Sequence, residues 1–339
     1  MSKNNLEYIT RVCHPSNGST LLQYLLISSL KEIEHTFFFI NDNYISQNIY
    51  KHFQNCYVSH AESSVYLIKI LTLVWYSVLR FIQNIRWPFL KKADIFIADH
   101  TYLGWVLGWK NNYTLLSDGM AIYQYPFYKP PISILHNIII NLMFYPFPNK
   151  RYGQTDKCVK IIVTDIIPDA SPLRKKELIS IDYHDLWQKS SPEKKDMIIR
   201  LFDISKQDVE TLQNCETILL TQGFSELKIM SEDEKIASFK RMIDYYGLKN
   251  FVIKTHPQEV TDYSRYFPDA KIIRSRVPIE LLAVIGNQCT KVATMFSSGA
   301  SAFGKTATIY WGGQRFFSKK YSIWGEQPPP ANLKNVITE

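Results

Sequence analysis

Along the chain, short apolar runs alternate with longer stretches whose apolar residues recur at helical spacing. In the first half the runs 8–13 (YITRVC), 36–40 (TFFFI), 94–98 (DIFIA) and 113–116 (YTLL) read as buried strands. Ser16, Asn17 and Gly18 punctuate the chain before a helical stretch at 20–30. Residues 66–86 form the longest helical stretch, with Trp75 and several Tyr and Leu residues, and with Arg80 and Arg86 near its end. Pro126, Pro130 and Pro131 break the pattern, and 157–164 (KCVKIIVT) resumes it as a strand. Strands separated by helices predict βα units and parallel sheets.

The second half repeats the scheme more sharply. Strands are predicted at 217–221 (TILLT), 250–255 (NFVIKT), 271–274, 291–296 (KVATMF) and 308–311 (TIYW). Ser231 with Glu234 three residues later has the spacing of a reciprocal helix cap, and Gly247 stops that helix. Pro278 stands at the start of another helix. The polar segment 168–192 lies between the halves, and a linker is expected between about 185 and 205. The resulting division is residues 1–195 and 196–339, both doubly wound α/β.

A length of 339 residues suits two domains, and 46% hydrophobic with 21% charged residues is a globular profile. The formal charge of +8 fits an anionic partner: a charged substrate, an acidic membrane or nucleic acid. No nucleic-acid-binding motif appears, and Lys and Arg are not gathered in one stretch. Five scattered cysteines without CxxC spacing argue against a disulfide framework or a structural zinc, and fit a reducing cytosol. No signal peptide is visible. The apolar segments 65–82 and 132–147 are interrupted by polar residues and are not clean membrane spans. The 66–86 stretch reads as a core helix or as a basic amphipathic helix on an acidic membrane surface.

In doubly wound sheets ligands sit at the carboxyl ends of strands. The candidates there are Gln222-Gly223, His256-Pro257, Glu280 and Ser297-Ser298-Gly299. Small hydroxyl residues and a glycine between a strand and a helix can hold phosphate on helix N–H groups, or serve only as a cap. His256 could protonate or stabilise a leaving phosphate. Glu280, in a first helical turn, could accept both ribose hydroxyls or simply complement the helix dipole. In the first half Asp118, followed by Gly119 at a strand end, could take a proton from an acceptor hydroxyl, or form an Asp-Gly turn. No GxGxxG, GxxxxGK[ST], HExxH, GxSxG or Asp-x-Asp occurs, so a metal-independent reaction without a cofactor is expected.

Asp118-Gly119, His256-Pro257 and Ser297-Ser298 resemble, in order and spacing, the three short motifs of bacterial sialyltransferases of the GT-B type. The segment 220–226 (LTQGFSE) is similar to one in glycosyltransferase family 52, and Val12-Cys13-His14-Pro15 with Leu21-Leu22-Gln23 looks like that family's first strand and helix. Pro278-Ile279-Glu280-Leu281 matches its ribose-binding position. Ser117 stands where a second acidic residue often precedes the glycine, and Gly223 where proline is expected.

The resemblance implies two Rossmann-like domains facing across a cleft, with the acceptor side N-terminal and the nucleotide sugar C-terminal. It implies transfer of sialic acid from CMP-sialic acid, with inversion, to a lipooligosaccharide or capsule glycan. Asp118 would be the base and His256 the group on the leaving phosphate. Ser297, Ser298 and Gly299 would hold that phosphate beside Pro257, with Gln222 and Gly223 forming the floor. The expected location is cytoplasmic, peripheral to the inner membrane face, with a homodimer left open. The alternatives are a GT-B enzyme using another nucleotide sugar, and a non-enzymatic basic membrane- or nucleic-acid-binding protein.

Overall fold

The computed structural model describes residues 8–42, 45–59, 66–117, 122–123, 134–145, 150–257, 259–273, 277–286, 289–303, 307–318, 329, 333 and 335–338. Asp118 and Gly119 therefore lie outside the described residues, as does the side chain of Ser298. The chain divides into two compact units, Met1–Asp203 and Ile204–Glu339.

In the first unit the elements are β1 (Arg11–His14), α1 (Gly18–Ile27), α2 (Leu30–Glu34), β2 (Thr36–Asn41), α3 (Gln47–Tyr50), β3 (Cys56–Ser59), α4 (Tyr66–Arg86), β4 (Asp94–Ile97), α5 (Tyr102–Gly108), β5 (Tyr113–Leu116), α6 (Ile134–Phe144), β6 (Cys158–Val163), β7 (Glu177–Ser180), α7 (Tyr183–Lys189) and α8 (Pro192–Leu201). Its seven strands are all parallel, in the order β3-β2-β1-β4-β5-β6-β7. The order reverses between β1 and β4, as in a doubly wound sheet. Helix α8 belongs to this unit. Its Ile198 and Leu201 are buried, and Lys194 donates to the Leu26 carbonyl at 2.7 Å. The division thus falls at the end of that helix, where residue 195 lies inside it.

Asn17 caps α1 reciprocally with Thr20, which accounts for the Ser-Asn-Gly punctuation. His14, at the end of β1, bridges the Phe39 carbonyl and the Thr101 hydroxyl, each at 2.7 Å. Burial lowers its pKa to about 4, with His100 nearby adding to the effect, and the Phe39 carbonyl only partly opposes it. The neutral ring therefore donates from Nδ1 to Phe39 and accepts from Thr101 at Nε2. Asp99, just past β4, is buried and accepts from the Tyr113 hydroxyl (2.7 Å) and from the Tyr152 and Gly153 N–H groups (2.8 Å each). It orders the 150–155 turn.

Helix α4 has apolar residues on both its buried and its exposed side. Leu73, Tyr76 and Leu79 join the hydrophobic core, while Leu71, Val74, Trp75, Val78, Phe81 and Ile85 are exposed. Ile138, Leu142 and Tyr145, on or just after α6, are exposed beside it. Among the described residues no helix is long and apolar enough to cross a membrane.

The second unit contains α9 (Lys206–Gln213), β8 (Thr217–Leu220), α10 (Glu232–Tyr245), β9 (Phe251–Lys254), β10 (Lys271–Ile273), α11 (Ile279–Gly286), β11 (Lys291–Thr294), β12 (Thr308–Trp311) and β13 (Val336–Ile337). The sheet is parallel, ordered β10-β9-β8-β11-β12-β13, and its order reverses between β8 and β11. Ser231 caps α10 through the Glu234 N–H, but the Glu234 carboxylate turns to Arg241 (2.6 Å) and the Ser318 N–H (2.8 Å), so the cap is one-sided. Gly247, at φ +58°, ends the helix as its left-handed terminator.

The cysteines correct the sequence reading: Cys215 and Cys289 form a disulfide, with Cα atoms 5.7 Å apart. They are 74 residues apart in sequence. Thr217 pairs with Lys291 in the β8–β11 register, and each cysteine lies two residues before its strand. Sheet pairing rather than local spacing brings them together.

Candidate active site

Three neighbouring strands of the second sheet end at the same edge, with β8 between β9 and β11. Beyond β8 come Thr221, Gln222 and Gly223; beyond β9, His256 and Pro257; beyond β11, Ser297, Ser298 and Gly299. His256 and Ser297 are therefore not on adjacent strands, and Gln222-Gly223 stands between them. The sheet order reverses between β8 and β11, where a crevice opens in such folds. Across that point Gln222 Oε1 accepts the Phe296 N–H at 3.0 Å.

The Ser297 segment differs from expectation. It enters a 3-10 helix, Ser298–Phe303, rather than an α-helix. Its leading N–H groups are partly engaged internally: Ser297 N–H with Thr294 Oγ1 (2.9 Å) and Gly299 N–H with Ser297 Oγ (3.3 Å). A long helix dipole is thus absent there, and phosphate contact would fall to hydroxyls and the remaining amides. Gly299 is required by packing, since a Cβ would lie 2.3 Å from Ile279 Cγ2. That contact seats the turn on α11, whose first turn carries the half-buried Glu280. Pro278 precedes α11, its carbonyl accepting from Leu281 and Leu282. At Gly223 an added Cβ would meet only ordinary contacts, 3.6 Å from Glu226 and 3.8 Å from Glu259. Packing does not demand glycine there.

The groups behind this edge escaped the sequence reading. The Glu259 side chain is wholly buried. Its Oε2 accepts the His256 N–H at 2.7 Å and the Thr221 hydroxyl; its Oε1 accepts the Tyr263 hydroxyl at 2.6 Å. Lys235, buried on α10, reaches Glu259 at 3.6 Å, Glu226 at 3.0 Å and Glu232 at 3.1 Å, and donates to Thr261. Burial raises the Glu259 carboxyl above its usual range, opposed by the donors from Thr221, Tyr263 and His256 and by Lys235. For Glu226 the balance is reversed: burial raises it, but the Val260 and Glu226 N–H groups, Lys235 and Ser225 bring it to about 2. Burial pushes the Lys254 ammonium, at the end of β9, down to about 8 against the pull of Glu280, Asp208 and Glu259. This cluster binds the ends of β8 and β9 to α10 and fixes the His-Pro turn. The only sequence signals for it were a carboxylate three residues after His256 and a lysine inside an otherwise apolar strand.

Residues 135–311, just over half of the chain, match the sequence pattern of Glycosyltransferase family 52. The chain belongs to glycosyltransferase family 52. The transferase is 29% identical over 299 residues to an uncharacterized protein of Haemophilus influenzae, covering 88% of the chain and 92% of that relative. It is similar to a solved sialyltransferase of Photobacterium damselae comprising residues 113–497, the GT-B domain. Identity there is 12%, coverage 93% of this chain and 94% of that one, and the TM-score 0.52. It is also similar to an alpha/beta-galactoside alpha-2,3-sialyltransferase of Photobacterium phosphoreum, at 15% identity, 89% and 90% coverage and a TM-score of 0.48. The fold is GT-B. As a glycosyltransferase the protein takes a nucleotide-sugar donor and a glycan acceptor.

Proposed function

We propose that this transferase moves sialic acid from CMP-sialic acid to a hydroxyl of a cell-surface glycan, lipooligosaccharide or capsule, by direct displacement with inversion. The observation that carries the reading is the His256-Pro257 turn, fixed from behind by buried Glu259 and lying in line with Gln222 and Ser297 at the order reversal of the sheet. Support also comes from the activity of the Photobacterium enzymes that share the fold.

In the reaction the acceptor oxygen bonds to the anomeric carbon as that carbon's bond to the phosphate oxygen breaks, and CMP leaves with the electron pair. Asp118 takes the acceptor proton. His256 stabilises or protonates the departing phosphate, and Ser297 and Ser298 hold it beside Gly299. Glu280 receives the ribose hydroxyls, and Gln222 and Gly223 form the floor. Neither metal nor cofactor enters the scheme. The acceptor is lipid-linked, and the exposed apolar face of α4 and α6 rests on the acidic inner face of the cytoplasmic membrane.

Incubation with CMP-sialic acid and candidate galactosides tests this directly. Acceptor-dependent release of CMP supports it, and release of UDP from another donor overturns the donor assignment. Each general acid or base step contributes ~10²–10⁴-fold. Asp118→Ala is therefore expected to lose turnover by that order while retaining CMP binding, and His256→Ala to lose both turnover and CMP affinity.

A further inference from the structure

At the amino ends of β1, β4, β5 and β6, opposite the edge where α/β sheets bind their substrates, lies a cavity of about 580 Å³. Arg11, Lys91, Lys92, Lys110, Lys157 and Lys160 line it, with Asp94 as the single carboxylate among its lining residues. Arg11 is paired with Glu32, and Lys160 with Glu177 at 3.0 Å. Among the described residues Lys91, Lys92 and Lys157 have no acidic partner, and all three are exposed.

The sheet is irregular where it borders this cavity. Tyr113 pairs with Cys158 but Thr114 pairs with Lys160, so Val159 is an extra residue bulged out of β6. Val159 is 40% exposed and lines the cavity. A bulge of this kind bends the strand and re-aims the side chains around it, here Lys160 next to Val159 and Lys157 two residues before it. Phe96 also lines the cavity, with the Arg11 guanidinium 5.3 Å from the centre of its ring. Leu90, Ile95 and Tyr113, which belong to the hydrophobic core, also line the cavity, so its inner side rests on that core. Lys110 also donates to the Phe81 carbonyl at 3.3 Å, which joins the cavity rim to the C-terminal end of the apolar face of α4.

We infer that this cavity is a second anion site, separate from the strand-end crevice, and that it binds phosphate groups clustered on one ligand. Clustered cations with a single opposing carboxylate favour a multiply charged oxyanion over a neutral sugar, and lysines suit phosphate as point charges. The same chemistry is offered by a soluble polyphosphorylated molecule and by the headgroups of anionic lipids. The inference does not rest on the donor assignment, which CMP affinity reads separately.

The test is calorimetric titration of the full chain with inorganic tripolyphosphate at low ionic strength. The comparison protein carries Lys91→Gln, Lys92→Gln and Lys157→Gln together. Wild type is expected to bind with an affinity that falls as salt is added, and the triple variant to bind about tenfold or more weakly, with unchanged Tm and CMP affinity. Equal binding by the two proteins, or no binding by wild type, overturns the inference. Co-sedimentation with phosphatidic acid vesicles then identifies the source. If wild type sediments more than the triple variant and tripolyphosphate competes, the phosphates are lipid headgroups. If the two proteins sediment equally while tripolyphosphate still discriminates them, the ligand is soluble.

Discussion

Glu259 offers the sharpest test of how the fold supports the crevice. In Glu259→Ala the His256 N–H and Tyr263 hydroxyl lose their acceptor inside the protein, while Thr221 can fall back on the Lys254 carbonyl at 3.5 Å. A buried donor left unpaired costs ~1–3 kcal/mol, and removing one partner of a buried ion pair ~3–5 kcal/mol. Lys235 keeps Glu226 and Glu232, so the ionic part lies at the low end, and the total is about 3–5 kcal/mol. Glu259→Gln is milder. Its carbonyl oxygen can keep the His256 and Thr221 donors while its amide faces Tyr263, whose hydroxyl can accept. The loss is that of one charge beside Lys235, about 1–2 kcal/mol.

Urea unfolding measures these losses. Turnover measured well below the unfolding transition then separates stability from positioning. Misplacing a reacting group by ~1 Å costs ~10²-fold, so Glu259→Ala, which leaves the His-Pro turn without this acceptor, is expected to lower kcat about 10–100-fold with a smaller effect on KM, and Glu259→Gln, which keeps it, to restore most of the rate. If Glu259 acts through His256, the double variant Glu259→Ala/His256→Ala is expected to be no slower than His256→Ala alone. A folded Glu259→Ala enzyme with wild-type kcat, or additive losses in the double variant, would refute the positioning role.

Gly223→Ala, whose Cβ has room, is expected to change Tm little and to raise the donor KM, because the space there is left for ligand; an unchanged KM counts against Gly223 as floor. In denaturant without reductant three thiols, Cys13, Cys56 and Cys158, are expected to react, and five after reduction. Cys215→Ser should lower stability by about 4 kcal/mol on the chain-entropy estimate for a closed loop of this length. The folded pKa of His14, about 4, lies below its ordinary 6.5. Between those pH values the unfolded chain takes up a proton that the folded chain refuses, so stability falls as pH drops. The loss approaches about 3 kcal/mol, and His14→Gln should flatten it in urea titrations at pH 7 and 4.5.

The strands were legible because buried parallel strands are short apolar runs, and 36–40, 113–116 and 217–221 carry that signature without interruption. The strand-end residues followed from strand position alone, since His256 and Ser297 are simply what comes next. What stayed hidden depends on pairing across the sheet. The Cys215–Cys289 bond comes from register between strands far apart in sequence, and the bulge at Val159 comes from a mismatch between β5 and β6. Neither leaves a local trace. Glu259 and Lys235 look like ordinary surface charges in sequence, and only the packing of α10 against the β8 and β9 ends makes them interior. Residues 66–86 permitted two readings because α4 is apolar on its buried and its exposed side alike.

The central strand pair of the second sheet is fastened twice. Cys215–Cys289 joins β8 and β11 covalently before they begin, and Gln222 ties their far ends through the Phe296 amide. The two strands cannot spread to admit a larger ligand, so the gauge of the crevice is set when the chain folds. Relatives built on this frame would change what they accept by exchanging the residues that cap the strands, as at Gly223, while the frame beneath keeps its dimensions.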